Sequence, residues 1–78
     1  MGTLTFNVVN FDNVIGTIND DSINGDGQNN QLSGLGGNDL IDGGQGNDTL
    51  LGGAGDDTFK GGQGNDSING GVGFDTAL

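Results

Sequence analysis

The sequence predicts an all-β protein, a right-handed parallel β-roll with two short parallel sheets and two nine-residue repeats, about 18 residues, in each coil. Three observations support this. A nine-residue pattern recurs, and its four best copies open at Gly43, Gly52, Gly61 and Gly70. In each copy glycine occupies positions one, two and four, Asp occupies position six, and position eight is apolar. The 19 glycines of the 78-residue chain are therefore phased, which is not expected of a disordered acidic linker.

The N-terminal segment, residues 1–15, has a different pattern. Leu4, Phe6 and Val8 alternate with polar residues as in a half-buried strand. We expect this strand to cap the first coil, since the open end of a solenoid needs covering. Residues 16–33 hold degenerate copies of the repeat and residues 34–78 hold the well-formed copies, all within one domain.

Each copy of the repeat predicts a turn followed by a very short strand. Glycine at positions one, two and four permits a positive φ and lets backbone carbonyls turn inward. Position five is Asn or Asp in most copies, and these residues tolerate the left-handed region better than other non-glycine residues. Positions seven to nine form the strand, with the side chain of position eight facing inward.

One copy reverses the chain once, so two copies complete a coil and copies two apart stack on each other. The inward side chains then form two columns. The first is Val14, Leu32, Leu50 and Ile68, and the second is Ile23, Ile41, Phe59 and Ala77. This is a small core with which to order a glycine-rich chain. We therefore expect the roll to need an external ligand in order to fold.

The composition excludes several functions. The chain has no Cys, so neither a disulfide nor a thiolate metal site can form. Its net charge is -10 and Lys60 is its only basic side chain, so nucleic acid is a poor partner. No apolar run approaches the roughly 18 residues of a membrane span. Because His, Cys and Tyr are absent, the carboxylates lack catalytic companions, and we predict that the chain is not an enzyme.

The acidic residues point to a metal ion. All 11 of them are Asp, whose short side chain holds the carboxylate close to the backbone. Stacked turns would place rows of carboxylates and inward carbonyls about 4.8 Å apart. Such an anionic cage suits Ca²⁺, which takes about six to eight oxygen ligands, better than Mg²⁺, which demands strict octahedral geometry. Transition metals favour His or Cys. We predict that the ligand is Ca²⁺.

Residues 43–78 resemble four consecutive copies of the calcium-binding nonapeptide of the repeats-in-toxin (RTX) family. The resemblance implies a parallel β-roll that forms part of a secreted, extracellular bacterial protein exported by the type I pathway. It implies about three well-formed calcium sites, and up to five.

The resemblance also implies which atoms hold each ion. One turn gives carbonyls at positions two and four and its Asp, and the turn one coil later gives carbonyls at positions one and three and its own Asp. The well-formed sites are Gly44, Gly46 and Asp48 with Gly61, Gln63 and Asp66; Gly53, Gly55 and Asp57 with Gly70, Val72 and Asp75; and Leu35, Gly37 and Asp39 with Gly52, Ala54 and Asp57. The weaker sites are Asp26, Gln28 and Asn30 with Gly43, Gln45 and Asp48, and Thr17, Asn19 and Asp21 with Gly34, Gly36 and Asp39. Asn30 lacks a charge, so its site should bind less tightly.

These features predict a calcium-binding structural module that folds when Ca²⁺ binds. The alternative is a calcium-dependent recognition module for ice or polysaccharide. Ice binding favours a flat, regular row of Thr, Asn or Asp along one sheet, whereas the outward position-seven residues are irregular. Polysaccharide binding of the alginate type favours basic patches, which one Lys does not supply. The last repeat runs to the C-terminus, so we also expect self-association through an uncapped C-terminal coil.

Overall fold

The computed structural model describes residues 4–7 and 13–78 of the chain. These residues form nine short strands joined by tight turns. The strands are Leu4–Asn7 (β1), Asn13–Ile15 (β2), Asp21–Asn24 (β3), Gln31–Ser33 (β4), Leu40–Asp42 (β5), Thr49–Leu51 (β6), Thr58–Lys60 (β7), Ser67–Asn69 (β8) and Thr76–Ala77 (β9). Within the described ranges no helix has the length and apolar character needed to cross a membrane. The predicted all-β class is confirmed.

The strands are shared between two parallel sheets. The odd-numbered strands form one sheet in the order β1-β3-β5-β7-β9, and the even-numbered strands form the other in the order β2-β4-β6-β8. Successive strands therefore alternate between the sheets. Among β2 to β9, residues that pair across neighbouring strands are two repeats apart, as Ile41 and Phe59 are. This is the predicted roll, with two repeats in each coil.

β1 lies at the edge of its sheet beside β3, where the capping strand was predicted. Phe6 pairs with Ile23, whereas Ile23 pairs with Ile41, so the first coil is one residue shorter than those that follow. The strand continues the parallel sheet by one further strand and so covers the edge of β3. Val8, the last apolar residue of the predicted strand, lies outside the described residues.

The two inward columns of position eight are confirmed. Five of their side chains are at most 1% exposed and form one cluster, namely Ile23, Leu32, Ile41, Leu50 and Phe59. Val14 packs against this cluster. Burial falls in the last coil, where Ile68 is 38% exposed and Ala77 is exposed as well. The core is therefore closed in the middle coils and open at the C-terminal end. Self-association through this end stays a prediction.

Glycine is needed for different physical reasons at positions one, two and four of the repeat. From the turn that begins at Gly34 onward, φ is positive at positions two and four, as at Gly44 (80°) and Gly46 (97°). Position one does not adopt a positive φ, contrary to expectation. A Cβ on Gly43 would instead lie 2.7 Å from Oδ2 of Asp48. Position one is glycine because the carboxylate at position six occupies that space.

Leu35 stands at position two, where later turns have glycine. Its φ is 70°, and among the described residues it is the one non-glycine residue with a positive φ. The left-handed conformation costs an L-residue about 1 to 2 kcal/mol. Stacking helps to hold it, since the Leu35 carbonyl accepts a hydrogen bond from Ala54 N–H at 2.8 Å. The turn geometry thus survives the substitution. The expectation of left-handed Asn and Asp at position five is wrong, since none of them has a positive φ.

Candidate metal centre

The position-six side chains form two ladders, one along each set of alternate turns. In both ladders the backbone N–H of a position-six residue donates to Oδ1 of the Asp one coil later, over 2.8 to 2.9 Å. The donor and acceptor pairs are Asp21 with Asp39, Asp39 with Asp57, Asp57 with Asp75, Asn30 with Asp48, and Asp48 with Asp66. The structure therefore brings together the two position-six residues of every predicted cage.

Three of the ladder carboxylates have an oxygen without a hydrogen-bond donor. Oδ2 of Asp39, Asp48 and Asp57 is buried and accepts no hydrogen bond from the described residues. These side chains are at most 2% exposed. A buried anionic oxygen is costly unless a donor or a cation compensates it. Lys60 is the only basic side chain in the sequence, and its Nζ lies 4.0 Å from Oδ2 of Asp42. The arrangement therefore favours a bound cation.

Burial raises the pKa of the same three carboxyls. The pKa of Asp39 reaches about 7, because burial outweighs the hydrogen bond from Asp21 N–H and the charges of Asp57 and Asp21 add to the rise. The pKa values of Asp48 and Asp57 are raised too, again chiefly by burial. The protein by itself thus disfavours these charges. A divalent cation beside the oxygens would favour the ionised form.

Backbone contacts hold stacked turns close together at positions two and four, where carbonyl ligands are predicted. The position-two carbonyl of Leu35 accepts the position-three N–H of Ala54, one coil later. At position four the turns approach so closely that a Cβ on Gly64 would overlap the carbonyl oxygen of Gly46. In residues 4–7 and 13–78 no three His, Cys, Asp or Glu side chains cluster closely enough to hold a metal ion. An ion at the ladders would therefore depend on these carbonyls as well as on carboxylates.

This set of carboxylate and carbonyl oxygen ligands fits Ca²⁺. Calcium accepts backbone carbonyls and carboxylates together and tolerates irregular coordination at distances of about 2.3 to 2.6 Å. The sequence has neither His nor Cys, so the nitrogen and sulfur ligands that transition metals prefer are missing. Mg²⁺ requires stricter octahedral geometry. Which of the predicted residues bind an ion stays a prediction.

The two N-terminal turns are built differently from the later ones. Thr17 N–H donates to Oδ2 of Asp21 at 2.7 Å, and the Thr17 hydroxyl donates to Oδ1 at 2.9 Å. In the next turn Asp26 N–H donates to Oδ1 of Asn30 at 3.1 Å. In each of the two weaker predicted sites, the position-six side chain of the earlier turn, Asp21 or Asn30, therefore accepts a hydrogen bond from its own turn.

A second pair of ladders runs through position five and was not predicted from the sequence. Oδ1 of Asn38 accepts the N–H of Asp56 at 2.8 Å, and Oδ1 of Asn47 accepts the N–H of Asn65 at 2.9 Å. These side chains are exposed, and each accepts from the coil that follows it. Asn or Asp at position five thus serves the stacking of coils. The recurrence of such residues at both positions five and six is the signal that could have revealed it.

Comparison with known proteins agrees with this geometry. The sequence model of the RTX calcium-binding nonapeptide repeat family, which represents four copies, matches residues 15–50 and again residues 42–77. A search of curated proteins and a search of solved structures gave no match. The two family matches together run from residue 15 to residue 77 and include both position-six ladders. The chain therefore belongs to the RTX calcium-binding nonapeptide repeat family and is a calcium-binding structural module.

Proposed function

We propose that the chain folds on binding calcium and that it holds three Ca²⁺ ions. The observation that carries this proposal is the set of three buried Oδ2 atoms, on Asp39, Asp48 and Asp57, that lack a donor among the described residues. These three residues stand at position six of the turns whose predicted sites are well formed. Each of these turns would bind one ion together with the turn one coil later.

Each ion would be held between two stacked turns. The earlier turn would give its carbonyls at positions two and four and a carboxylate, and the later turn its carbonyls at positions one and three and a carboxylate. The proposed sets are Leu35, Gly37 and Asp39 with Gly52, Ala54 and Asp57; Gly44, Gly46 and Asp48 with Gly61, Gln63 and Asp66; and Gly53, Gly55 and Asp57 with Gly70, Val72 and Asp75. Asp57 belongs to two sets. One ion would thus position a carboxylate that a second ion also uses, and binding should be cooperative.

Calcium would supply free energy that the small core lacks. Only five hydrophobic side chains of the described residues are buried, and the net charge of -10 opposes a compact state. Each ion would bring two positive charges to carboxyl groups whose pKa is raised by burial. Because the cages exist only when turns are stacked, the free energy of calcium binding becomes free energy of folding. We therefore expect the chain to be unfolded in a chelator.

We propose further that the module is part of a secreted bacterial protein, exported by the type I pathway and active outside the cell. Support comes from the family, whose repeats are typically found in secreted bacterial proteins. Extracellular calcium modules commonly bind with dissociation constants of about 10⁻⁴ to 10⁻³ M. A chain with such sites would stay open during export and fold where calcium is plentiful.

Far-UV circular dichroism during a calcium titration tests the proposal. We expect a coil spectrum in chelator and a strand spectrum at millimolar Ca²⁺. Isothermal titration calorimetry should count three ions per chain, one for each unpartnered Oδ2. Mg²⁺ at the same concentration is the control and should leave the coil spectrum unchanged. A chain that is equally folded in chelator, or still coil at about 10 mM Ca²⁺, well above the usual range for extracellular modules, overturns the proposal.

A further inference from the structure

The five turns between residues 16 and 57 fall into two structural classes, which we name closed and open. In a closed turn the N–H at position two donates to the side chain at position six, and the closed turns are residues 16–21 and 25–30. In an open turn the residue at position two has a positive φ, and one carboxylate oxygen at position six is buried and has no hydrogen-bond donor among the described residues. The open turns are residues 34–39, 43–48 and 52–57.

Thr17 closes the first turn through both its backbone and its side chain. Its N–H donates to Oδ2 of Asp21 at 2.7 Å, and its hydroxyl lies 2.9 and 3.1 Å from the two oxygens of the same carboxylate. The hydroxyl oxygen also accepts the N–H of Asn19 at 3.0 Å. The carboxylate that would face a cation is therefore already compensated by neutral donors.

Asp26 repeats the arrangement in the second turn. Its N–H donates to Oδ1 of Asn30, and its own Oδ1 accepts the N–H of Gln28 at 2.8 Å. The open turn one coil later shows the contrast. Gly44 has a φ of 80°, and its N–H donates to Oδ1 of Asp42 at 3.0 Å, away from position six. Reversing the sign of φ at position two thus takes the donor away from the position-six carboxylate.

We propose that the residues at positions two and four decide whether a turn takes a calcium ion, and that Thr17 and Asn19 withhold the first turn from it. A cation needs the position-six oxygen and the inward carbonyls together. In the first turn the N–H of Thr17 points at that oxygen, and the positive end of its dipole repels a cation. Position four lacks the left-handed glycine that every open turn has, since Asn19 stands there. This inference rests on the proposed function, because it takes the open turns to be the calcium sites.

The double variant Thr17→Gly/Asn19→Gly tests the inference. It gives the first turn the glycine pattern of the open turns, with Asp21 already at position six. We expect the calorimetric count to rise by one ion per chain, from the three of the native chain to four. Thr17→Ser is the matched control, since it keeps the hydroxyl and the N–H, and its count should stay at three. Circular dichroism at saturating Ca²⁺ establishes that each variant is folded.

The outcomes separate the inference from the proposed function. A native chain that binds no calcium removes both. A native count equal to that of the double variant overturns the inference alone, and so does a native count of five, because the closed turns would then bind ions. Should the double variant fail to fold, Asp26→Gly/Gln28→Gly/Asn30→Asp carries the same test in the second turn. That variant must also gain one ion, and an unchanged count overturns the inference.

Discussion

Replacement of Asp57 by Asn tests whether neighbouring calcium sites share a carboxylate. Asp57 belongs to two of the three proposed cages, whereas Asp66 belongs to one. Asn keeps an Oδ1 that can accept Asp39 N–H, a bond of 2.8 Å in the native ladder. The substitution therefore removes the charge and the buried Oδ2 while the ladder bond can remain. We expect Asp57→Asn to raise the calcium concentration at the folding midpoint more than Asp66→Asn does.

The size of the effect follows from the charge at a ligand distance. A unit negative charge and a divalent ion about 2.4 Å apart attract by roughly 3 kcal/mol even at the dielectric constant of water. Because an amide oxygen remains a neutral ligand, we expect the loss of about half of this, or about 1.5 kcal/mol per site. That corresponds to about tenfold in affinity. Two affected sites should cost about 3 kcal/mol in Asp57→Asn, and one site about 1.5 kcal/mol in Asp66→Asn.

Calcium titrations followed by circular dichroism, with urea unfolding at a fixed calcium concentration, measure both variants. Asp56→Asn is the control, since it removes the same charge from an exposed neighbour at a position where other repeats carry Asn. Its Oδ1, which accepts Phe74 N–H at 3.0 Å, is kept. Equal shifts for Asp57→Asn and Asp66→Asn would refute the shared carboxylate. A shift in Asp56→Asn as large as that in Asp57→Asn would attribute the effect to net charge.

Three further predictions concern the core, the turns and the pH. In saturating calcium, Phe59→Ala should lower the free energy of unfolding by about 3 to 5 kcal/mol because the ring is buried. The control is Phe74→Ala, at a side chain 87% exposed. In the same urea experiment it should change the free energy of unfolding by less than about 0.5 kcal/mol. Gly43→Ala should weaken calcium binding in calorimetry, since its Cβ would lie 2.7 Å from the carboxylate at position six. Gly27→Ala, whose Cβ would find its nearest atom at 3.8 Å, should leave binding unchanged, and equal effects would contradict the argument from space. In chelator, strand content measured by circular dichroism should rise as the pH falls from about 7.5 to about 4.5, because the folded pKa of Asp39 is about 7 and the unfolded value is about 3.9. Between these two pKa values the folded chain holds a proton on Asp39 that the unfolded chain has lost, so protonation stabilises the fold. This stabilisation is lost as the pH rises through 7. A strand signal that falls on acidification would contradict the prediction.

The repeat and its core could be predicted from the sequence because they depend on periodicity alone. An apolar residue at every position eight and a very short strand leave little freedom in how copies stack. The register follows, with Leu32 on Leu50 and Ile41 on Phe59, each pair two repeats apart. The shorter offset between β1 and β3 could not be predicted, since the N-terminal segment does not keep the glycine pattern that fixes turn length.

The hydrogen bonds of the turns were harder to predict, because one residue type can serve two purposes. Asn at position five was expected to adopt a left-handed conformation, yet Asn38 and Asn47 accept N–H groups from the next coil instead. Thr17 and Asp26 look like simple departures from the glycine pattern. Their role is visible only once the direction of the position-two N–H is known, since that direction depends on the sign of φ.

On the proposed function, the direction of the ladders would link calcium binding to the order in which coils stack. Oδ1 of Asp57 is held by the N–H of Asp39 in the coil before it, so the placement of its Oδ2 depends on that coil being in place. At position five the bond runs the other way, and Asn38 accepts from Asp56 in the coil that follows. Each interface between coils is thus joined by side chains from both partners, and one coil alone makes neither bond. An ion bound between two coils should therefore strengthen the same interface that orients the carboxylate for the next ion. Since the closed turns at the N-terminal end satisfy their own position-six side chains, stacking should begin there and proceed toward the C-terminus as calcium fills the open turns.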